Sequence, residues 1–230
     1  MNERPLLKSP LLLARKPWIG WAMFLTGITI FILLALNLVL KGPLLPFDKA
    51  VSDSWHQVAV EVSPTMRALT RGGWYLGNEV AVVVALIMGI YFIVKRFWME
   101  FWMTVAGGVG APLFFLATSH TFNRARPEFA IPIEPVVTQP SFPSGHAVIG
   151  VAVYGLLAYF LIQHNRSAFA KTAVILMAFA FILFIGFSRI FTGGHYPTDV
   201  LAGYALGLAW SGVAYTTIEV HYARRAELRL

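Results

Sequence analysis

Cysteine is absent from the 230-residue chain and charge is scarce, with only 13% of residues being Asp, Glu, Lys or Arg. Without cysteine there is no disulfide framework, no thiolate nucleophile and no cysteine-ligated metal, and the redox compartment leaves no trace in the sequence. A soluble domain usually carries about 25% charge. The low charge, together with 57% hydrophobic residues and a mean hydropathy of +0.67, excludes a cytosolic globular protein, a disordered chain and a nucleic-acid-binding module. Internal repeats and low-complexity segments are also missing, and the length fits a single domain, residues 1–230. What remains is a membrane protein. Its net charge of +7 is then a statement about sidedness before it is one about an anionic partner.

A hydrocarbon core about 30 Å thick takes roughly 20 apolar residues per helix. Six stretches meet that requirement, at 18–40, 72–94, 101–119, 145–163, 172–188 and 200–218. The sequence therefore predicts an all-α membrane protein built as a bundle of six transmembrane helices. The first apolar run is too long for a cleaved signal peptide and lacks a small-residue cleavage site. On one side of such a bundle fall Arg4, Lys8, Arg15, Lys16, Lys95, Arg96, Arg166, Lys171, Arg224, Arg225 and Arg229. On the other fall Lys41, Lys49, Arg67, Arg71, Arg124, Arg126 and Arg189. The positive-inside rule then puts both termini in the cytoplasm, and Trp18, Trp21, Trp74, Trp98 and Trp102 suit the headgroup region near span ends. Between spans one and two, residues 48–71 space Val51, Trp55, Val58 and Val62 helically among charges. This pattern predicts an amphipathic helix on the outer face, lying in the interface or packed on the bundle. Residues 121–142, rich in proline, charge and β-branched side chains, read as an ordered outer loop.

Side chains capable of chemistry are few, so their positions carry information. His120, Arg124 and Arg126 follow the third span, Ser144 and His146 open the fourth, Arg189 follows the fifth, and His195 and Asp199 precede the sixth. In an up-and-down bundle the exits of odd spans and the entries of even ones share a face, so these residues converge on the outer membrane boundary. Ionisable groups at such depth mark a functional site. Any one of them alone would read as an interfacial snorkeller; the set, drawn from three parts of the chain, does not.

The spacing points to an oxyanion. Pro143-Ser144-Gly145-His146 starts a helix with serine placed to cap it. Helix N-termini favour anions such as phosphate, and Gly145 allows the backbone to approach one closely. Arg126 and Arg189 offer forked, charge-assisted hydrogen bonds to a tetrahedral group. Asp199 lies four residues beyond His195, with Pro197 between them suited to a first helical turn. An aspartate there can accept from one imidazole nitrogen and leave the other free to attack, while His146 serves as general acid. A histidine and an aspartate four apart are by themselves no more than a structural hydrogen bond, and spacing leaves open which histidine attacks. Nucleophile, orienter, acid and oxyanion clamp are all supplied without a metal or organic cofactor.

These residues resemble the signature of the type 2 phosphatidic acid phosphatases, relatives of vanadium haloperoxidases and glucose-6-phosphatase, which runs KxxxxxxRP, then PSGH, then SRxxxxxHxxxD. The second element is intact as Pro143-Ser144-Gly145-His146, the third as Ser188-Arg189, His195 and Asp199, and the first ends correctly at Arg126-Pro127. The match covers residues 119–199 and, through the span layout, most of the chain. The resemblance implies a six-helix lipid phosphatase with its site at the outer leaflet. It implies His195 as the nucleophile forming a phosphohistidine, Asp199 as its orienter and His146 as the acid. Arg126, Arg189, Ser144 and Gly145 would hold the phosphoryl oxygens. One position departs: the lysine expected seven residues before Arg126 is Ser119. Compensation by His120 or Arg124, a changed substrate preference and reduced activity are the three readings, and Ser119, His120 and Arg124 stand as further candidate phosphate ligands.

Other features read more plainly. Gly107, Gly108, Gly110 and Pro112 crowd the third span as packing or kink positions, and Gly203 and Gly207 form a GxxxG face whose first explanation is packing within the bundle. Glu79 reads as an interfacial carboxylate, and His56, His164 and His221 as non-catalytic. The expected function is a metal-independent membrane phosphatase for a lipid phosphate or diphosphate entering sideways from the bilayer. The candidates are an isoprenoid diphosphate, phosphatidylglycerophosphate, phosphatidic acid and diacylglycerol pyrophosphate. A lipid phosphotransferase using the same site and a non-catalytic lipid-binding or transport protein are the alternatives. The resemblance places it in a bacterial cell membrane with the site on the periplasmic or extracellular face, and no nucleic-acid partner is expected.

Overall fold

A computed structural model describes residues 12–129 and 139–227. Arg4, Lys8 and Arg229, counted above for sidedness, and residues 130–138 of the expected outer loop lie outside the described residues. The elements are a short α1 (Leu12–Arg15), α2 (Pro17–Val39), α3 (Leu44–Glu61), α4 (Pro64–Gly77) and α5 (Glu79–Lys95). They continue as α6 (Trp98–Phe122) and α7 (Gly145–His164), α8 (Ala168–Phe191) and α9 (Pro197–Glu227). Among the described residues all regular structure is helical. Five helical runs among the described residues are long and apolar enough to cross a membrane: Pro17–Val39, Pro64–Lys95, Trp98–Phe122, Gly145–His164 and Ala168–Phe191. The sixth expected span falls inside α9, whose 31 residues extend about 46 Å at 1.5 Å per residue.

The segment at 48–71 departs from the single helix expected there. Ser63 accepts a hydrogen bond from the Met66 N–H at 3.3 Å, and Pro64 takes the first helical position. That cap and proline start a new helix, while extended backbone at Val62 and Ser63 closes the old one. The second membrane run therefore begins at Pro64 rather than at residue 72, with a break at Asn78. α3 is amphipathic, but its polar stripe faces the protein: Asp48, Ser52, His56 and Ala59 are buried, while Phe47, Trp55 and Val58 are exposed.

α9 is the organising helix. Gly20, Gly27 and Gly212 let it lie against α2; a Cβ on Gly27 would stand 2.4 Å from the Ala205 carbonyl. The GxxxG face is filled within the chain by α7, because a Cβ on Gly203 would meet the Ser144 carbonyl at 2.5 Å. Both α6 and α7 contain a π-helical turn, at Ala106–Gly110 and Gly150–Tyr154. Such turns leave carbonyls without their helical donor. Two aromatic residues of α9 supply donors there: Trp210 to the Ala106 carbonyl at 2.8 Å and Tyr215 to the Ala152 carbonyl at 2.7 Å. Each bond contributes about 1 kcal/mol, and leaving such a carbonyl buried and unpaired costs about 1–3 kcal/mol. The glycines of the third span serve this packing, since a Cβ on Gly107 would meet the Tyr215 hydroxyl and one on Gly110 the Trp210 ring.

At the opposite end of α9, the Glu219 carboxylate accepts from the Leu13 and Ala14 N–H groups at 2.9 and 3.1 Å and from the Tyr159 hydroxyl. This docks α1 on the far end of the bundle from the residues described next. Leu33, Leu86, Ile87, Ile90, Leu176, Met177 and Phe179 are exposed on the outside, an apolar girdle that water would disfavour and lipid tails would not.

Candidate active site

The C-terminal ends of α6 and α8 and the starts of α7 and α9 meet at one end of the bundle. α8 ends at Phe191, and Gly193, with φ +78°, lets the chain reverse where a side chain would be strained. The N–H groups of Gly194 and His195 both return to the Arg189 carbonyl, at 2.9 and 3.1 Å. Tyr196 and Pro197 then open α9. Asp199 reaches back to accept from the Tyr196 N–H at 2.9 Å, the carboxylate half of a capping box. Its backbone carbonyl accepts from the Ser144 N–H at 2.9 Å, so the start of α9 is tied directly to the start of α7.

His195 is buried, and both of its ring nitrogens are engaged. Nδ1 lies 2.8 Å from the Ser141 carbonyl, and Nε2 lies 3.2 Å from Arg126 Nη1. A carbonyl can only accept and a guanidinium can only donate. The proton is therefore on Nδ1, and the Nε2 lone pair faces Arg126. The guanidinium is held in turn by the Gly194 carbonyl at 2.7 Å and the Gln139 carbonyl at 2.9 Å. Burial, then the charges of Arg126 and Arg189, push the His195 imidazole well below its ordinary pKa, so it is neutral at physiological pH.

His146 sits across from it, ring centroids 6.3 Å apart, beside Trp74 of α4 at 6.0 Å edge to face. The Arg189 guanidinium lies over the same indole, 5.0 Å from its centroid. Ser144 Oγ and His146 Nε2 are buried with no hydrogen-bond partner among the described residues. Orphaned polar atoms of this kind are costly, and a tetrahedral oxyanion between the two arginines would satisfy both. Among the described residues no three His, Asp or Glu side chains are grouped to hold a metal ion.

The PAP2 superfamily profile matches residues 101–222 of the chain. The chain belongs to the PAP2 superfamily. It is 31% identical over 168 residues to phosphatidylglycerophosphatase B of Bacillus subtilis, covering 70% of this chain and 78% of that one. Over 70 residues it is 39% identical to a lipid A 1-phosphatase of Rhizobium johnstonii, a match spanning 30% of this chain and 24% of that protein. The fold is similar to the crystal structure of a transmembrane PAP2-type phosphatidylglycerolphosphate phosphatase from Bacillus subtilis. That likeness has a TM-score of 0.68 at 24% identity, covering 89% of this chain and 97% of the other.

Within the PAP2 site, His195, Arg126, His146, Arg189, Ser144 and Asp199 gather at one end of the bundle, with Gly145 packed against Phe115 at the α7 start. Two arrangements differ from expectation. First, the direct acceptor for the His195 ring is the Ser141 carbonyl, while the Asp199 carboxylate stands 3.7 Å from Nδ1. Second, Arg124 is turned to carboxylates rather than to the place an anion would take. Its Nη1 reaches Asp199 at 2.6 Å and Thr198 at 2.9 Å, its Nη2 reaches Asp48 at 2.8 Å, and its plane lies over Tyr196 at 4.1 Å. Two buried carboxylates give it more than a transient anion could. Ser119 is buried and donates to the Leu116 carbonyl of its own helix at 3.1 Å, and His120 is exposed on α6.

Sequence reasoning missed Ser141, Asp48, Thr198 and Trp74. Ser141 acts through its backbone, which no residue type announces. Asp48 is one of only 11 acidic residues, but it sits among Lys49, Asp53 and Glu61 on an amphipathic helix, so nothing local sets it apart. Trp74 reads as an interfacial anchor until α4 is seen to carry it onto His146.

Proposed function

We infer that this membrane lipid phosphatase of the PAP2 superfamily hydrolyses a lipid phosphate through a phosphohistidine on His195, without a metal. The observation that carries the reading is the His195 ring itself, fixed as the Nδ1–H tautomer by the Ser141 carbonyl with its Nε2 lone pair facing Arg126. Nε2 attacks phosphorus as the bond to the lipid oxygen breaks, and His146, having taken a proton on substrate binding, gives it to that oxygen. A water, deprotonated by His146, then attacks the phosphohistidine, releasing phosphate and restoring neutral His195. Arg126, Arg189, the Ser144 hydroxyl and the Gly145 N–H hold the phosphoryl oxygens, where preorganised donors contribute most as charge is redistributed. Asp199 supports the imidazolium-like character that develops on His195.

Phosphatidylglycerophosphate is the first substrate to test, because the relative matched over most of its length carries that activity in its name. Phosphatidic acid, an isoprenoid diphosphate and diacylglycerol pyrophosphate complete the panel. α9 serves as the sixth span, both termini are cytoplasmic, and the site opens on the outer face of a bacterial cell membrane. The outward apolar residues of α3 lie in that interface, and the lipid enters from the bilayer. The test is phosphate release by the detergent-purified protein in the presence of a chelator, with His195→Ala alongside. Release that depends on His195 and survives chelation is expected. Full activity of His195→Ala, or a strict divalent-metal requirement, overturns the mechanism.

A further inference from the structure

α3 contributes nothing to the residues placed on the phosphoryl group, yet Asp48, its fifth residue, is a fully buried carboxylate directed at the start of α9. Asp48 Oδ1 accepts from the Thr198 N–H at 3.0 Å, and Oδ2 accepts from the Thr198 hydroxyl and from Arg124 Nη2 at 2.8 Å. The other arm of Arg124 holds Asp199 at 2.6 Å. One guanidinium thus bridges two carboxylates that are 76 and 75 residues from it in sequence. Both lie at the N-terminus of α9, where partial positive charge favours them.

We propose that Asp48 is a positioning residue for the phosphoryl-transfer centre, holding Asp199 and the first turn of α9 in register through Arg124 and Thr198; this rests on the phosphohistidine reading above. Asp199 has three tasks that depend on its place. Its carbonyl receives the Ser144 N–H, its carboxylate receives the Tyr196 N–H one residue after the nucleophile, and the same carboxylate stands 3.7 Å from His195 Nδ1. With Asp48 neutralised, Arg124 has a single carboxylate partner left and moves onto it. Asp199 then shifts, and with it both the phosphate-facing end of α7 and the nucleophile loop. Asp48 touches neither phosphate nor imidazole, so ground-state binding by Arg126 and Arg189 survives its loss. Thr198 is the second tether: its N–H and hydroxyl both go to Asp48, so α3 fixes the backbone as well as the charge.

The test compares wild type, Asp48→Asn, Arg124→Gln and the double variant as full-length protein in detergent. Phosphatidylglycerophosphate and dioctanoyl phosphatidic acid are the probes. The ring-nitrogen chemical shifts of 15N-histidine-labelled protein give a second readout, with His195 assigned from His195→Gln. Asp48→Asn keeps the size and one acceptor oxygen, so it is expected to elute and melt close to wild type. It should lower kcat at least tenfold with KM changed less than about twofold on the usual reading of transition-state against uniform binding. Its His195 nitrogen shifts should move away from a pure Nδ1–H tautomer. The double variant should lose no more than Arg124→Gln alone, since both act through one path. A lower melting temperature with wild-type kcat and an unchanged His195 signature would make Asp48 a simple staple between α3 and α9 and overturn the proposal. If wild type hydrolyses neither probe, the hydrolase reading falls, while the His195 signature of Asp48→Asn still decides whether Asp48 sets the ring.

Discussion

Arg126 Nη1 stands 3.2 Å from His195 Nε2, so the group that would bind phosphate also occupies the lone pair that would attack it. On the proposed reading a bound phosphoryl group would draw the guanidinium onto its oxygens and release Nε2, and until then the contact adds to burial in keeping the ring neutral. The pKa of His195 is lowered first by burial and then by Arg126 and Arg189. An ordinary histidine loses its charge at about 6.5, and attack requires the neutral ring. The acid limb of kcat/KM, corrected for ionisation of the substrate, is therefore expected below that range rather than at it. Arg126→Gln should move the limb upward and lower kcat/KM about 100-fold or more, the usual cost of one lost oxyanion donor. A limb at or above 6.5 in wild type would contradict this account. Stability carries the same sign: the unfolded chain takes up the His195 proton at higher pH than the native state, so acid lowers the melting temperature through this group.

Trp74 joins the two halves of the site, its ring 5.0 Å below the Arg189 guanidinium and edge to face with His146. A cation over an indole contributes about 0.5–2 kcal/mol depending on desolvation, and Arg189 is almost wholly buried. Trp74→Leu removes that face as well as the wall beside His146. We expect about a tenfold fall in kcat/KM, in line with those magnitudes, and a partial return with Trp74→Phe. Equal activity of the leucine and phenylalanine variants would mean that the indole supplies bulk alone.

The helical runs and the short motifs were legible because each is a local pattern. Apolar length marks the expected spans beginning at Trp18, Phe101, Gly145 and Thr172, all of which fall in helices long and apolar enough to cross a membrane. The start of the second run was less visible. The capping pair Ser63 and Pro64 sits inside what looks like one amphipathic stretch, and hydropathy rises only at Gly72, eight residues after the helix begins. Orientation was harder still. Val51, Trp55, Val58 and Val62 show that α3 is amphipathic, but not that its polar stripe turns inward toward a buried Asp48. Arg124 shows the same limit, since nothing near it in sequence reveals that its partners are Asp48 and Asp199. Long-range pairing of charges and contacts through a carbonyl such as that of Ser141 are properties of the assembled bundle.

Gly203 marks a close approach of α9 to the start of α7. A Cβ there would stand 2.5 Å from the Ser144 carbonyl and 2.7 Å from Ala147 Cβ, and backbone cannot yield as a flexible side chain would. Overpacking of this kind costs about 1–3 kcal/mol. Gly203→Ala should therefore lower the melting temperature and also reduce kcat, because the displaced strand of contacts includes Ser144. Gly89→Ala, where a Cβ would meet nothing within 4 Å, is the matched control and should leave both unchanged. Equal behaviour of the two variants would show that α7 and α9 can separate without disturbing the site.

Ser119 stands where the PAP2 resemblance calls for lysine, and its surroundings bear on whether it is a ligand. Its side chain is buried, and its hydroxyl donates to Leu116 within the same helix at 3.1 Å. An i to i−3 bond of this sort contributes little, and its loss leaves no donor stranded. His120 is exposed, and Arg124 is occupied by Asp48 and Asp199. On the proposed mechanism the cationic charge that would meet the phosphate is then that of Arg126 and Arg189. Ser119→Ala and His120→Ala are expected to keep kcat/KM within about twofold of wild type, as substitutions away from special features usually do. Arg124→Gln should lower kcat more than it raises KM, because Arg124 acts on the nucleophile's neighbours rather than on substrate. Side-by-side kinetics on phosphatidylglycerophosphate would decide it: a tenfold rise in KM for Ser119→Ala or His120→Ala would return that residue to the phosphate-binding set.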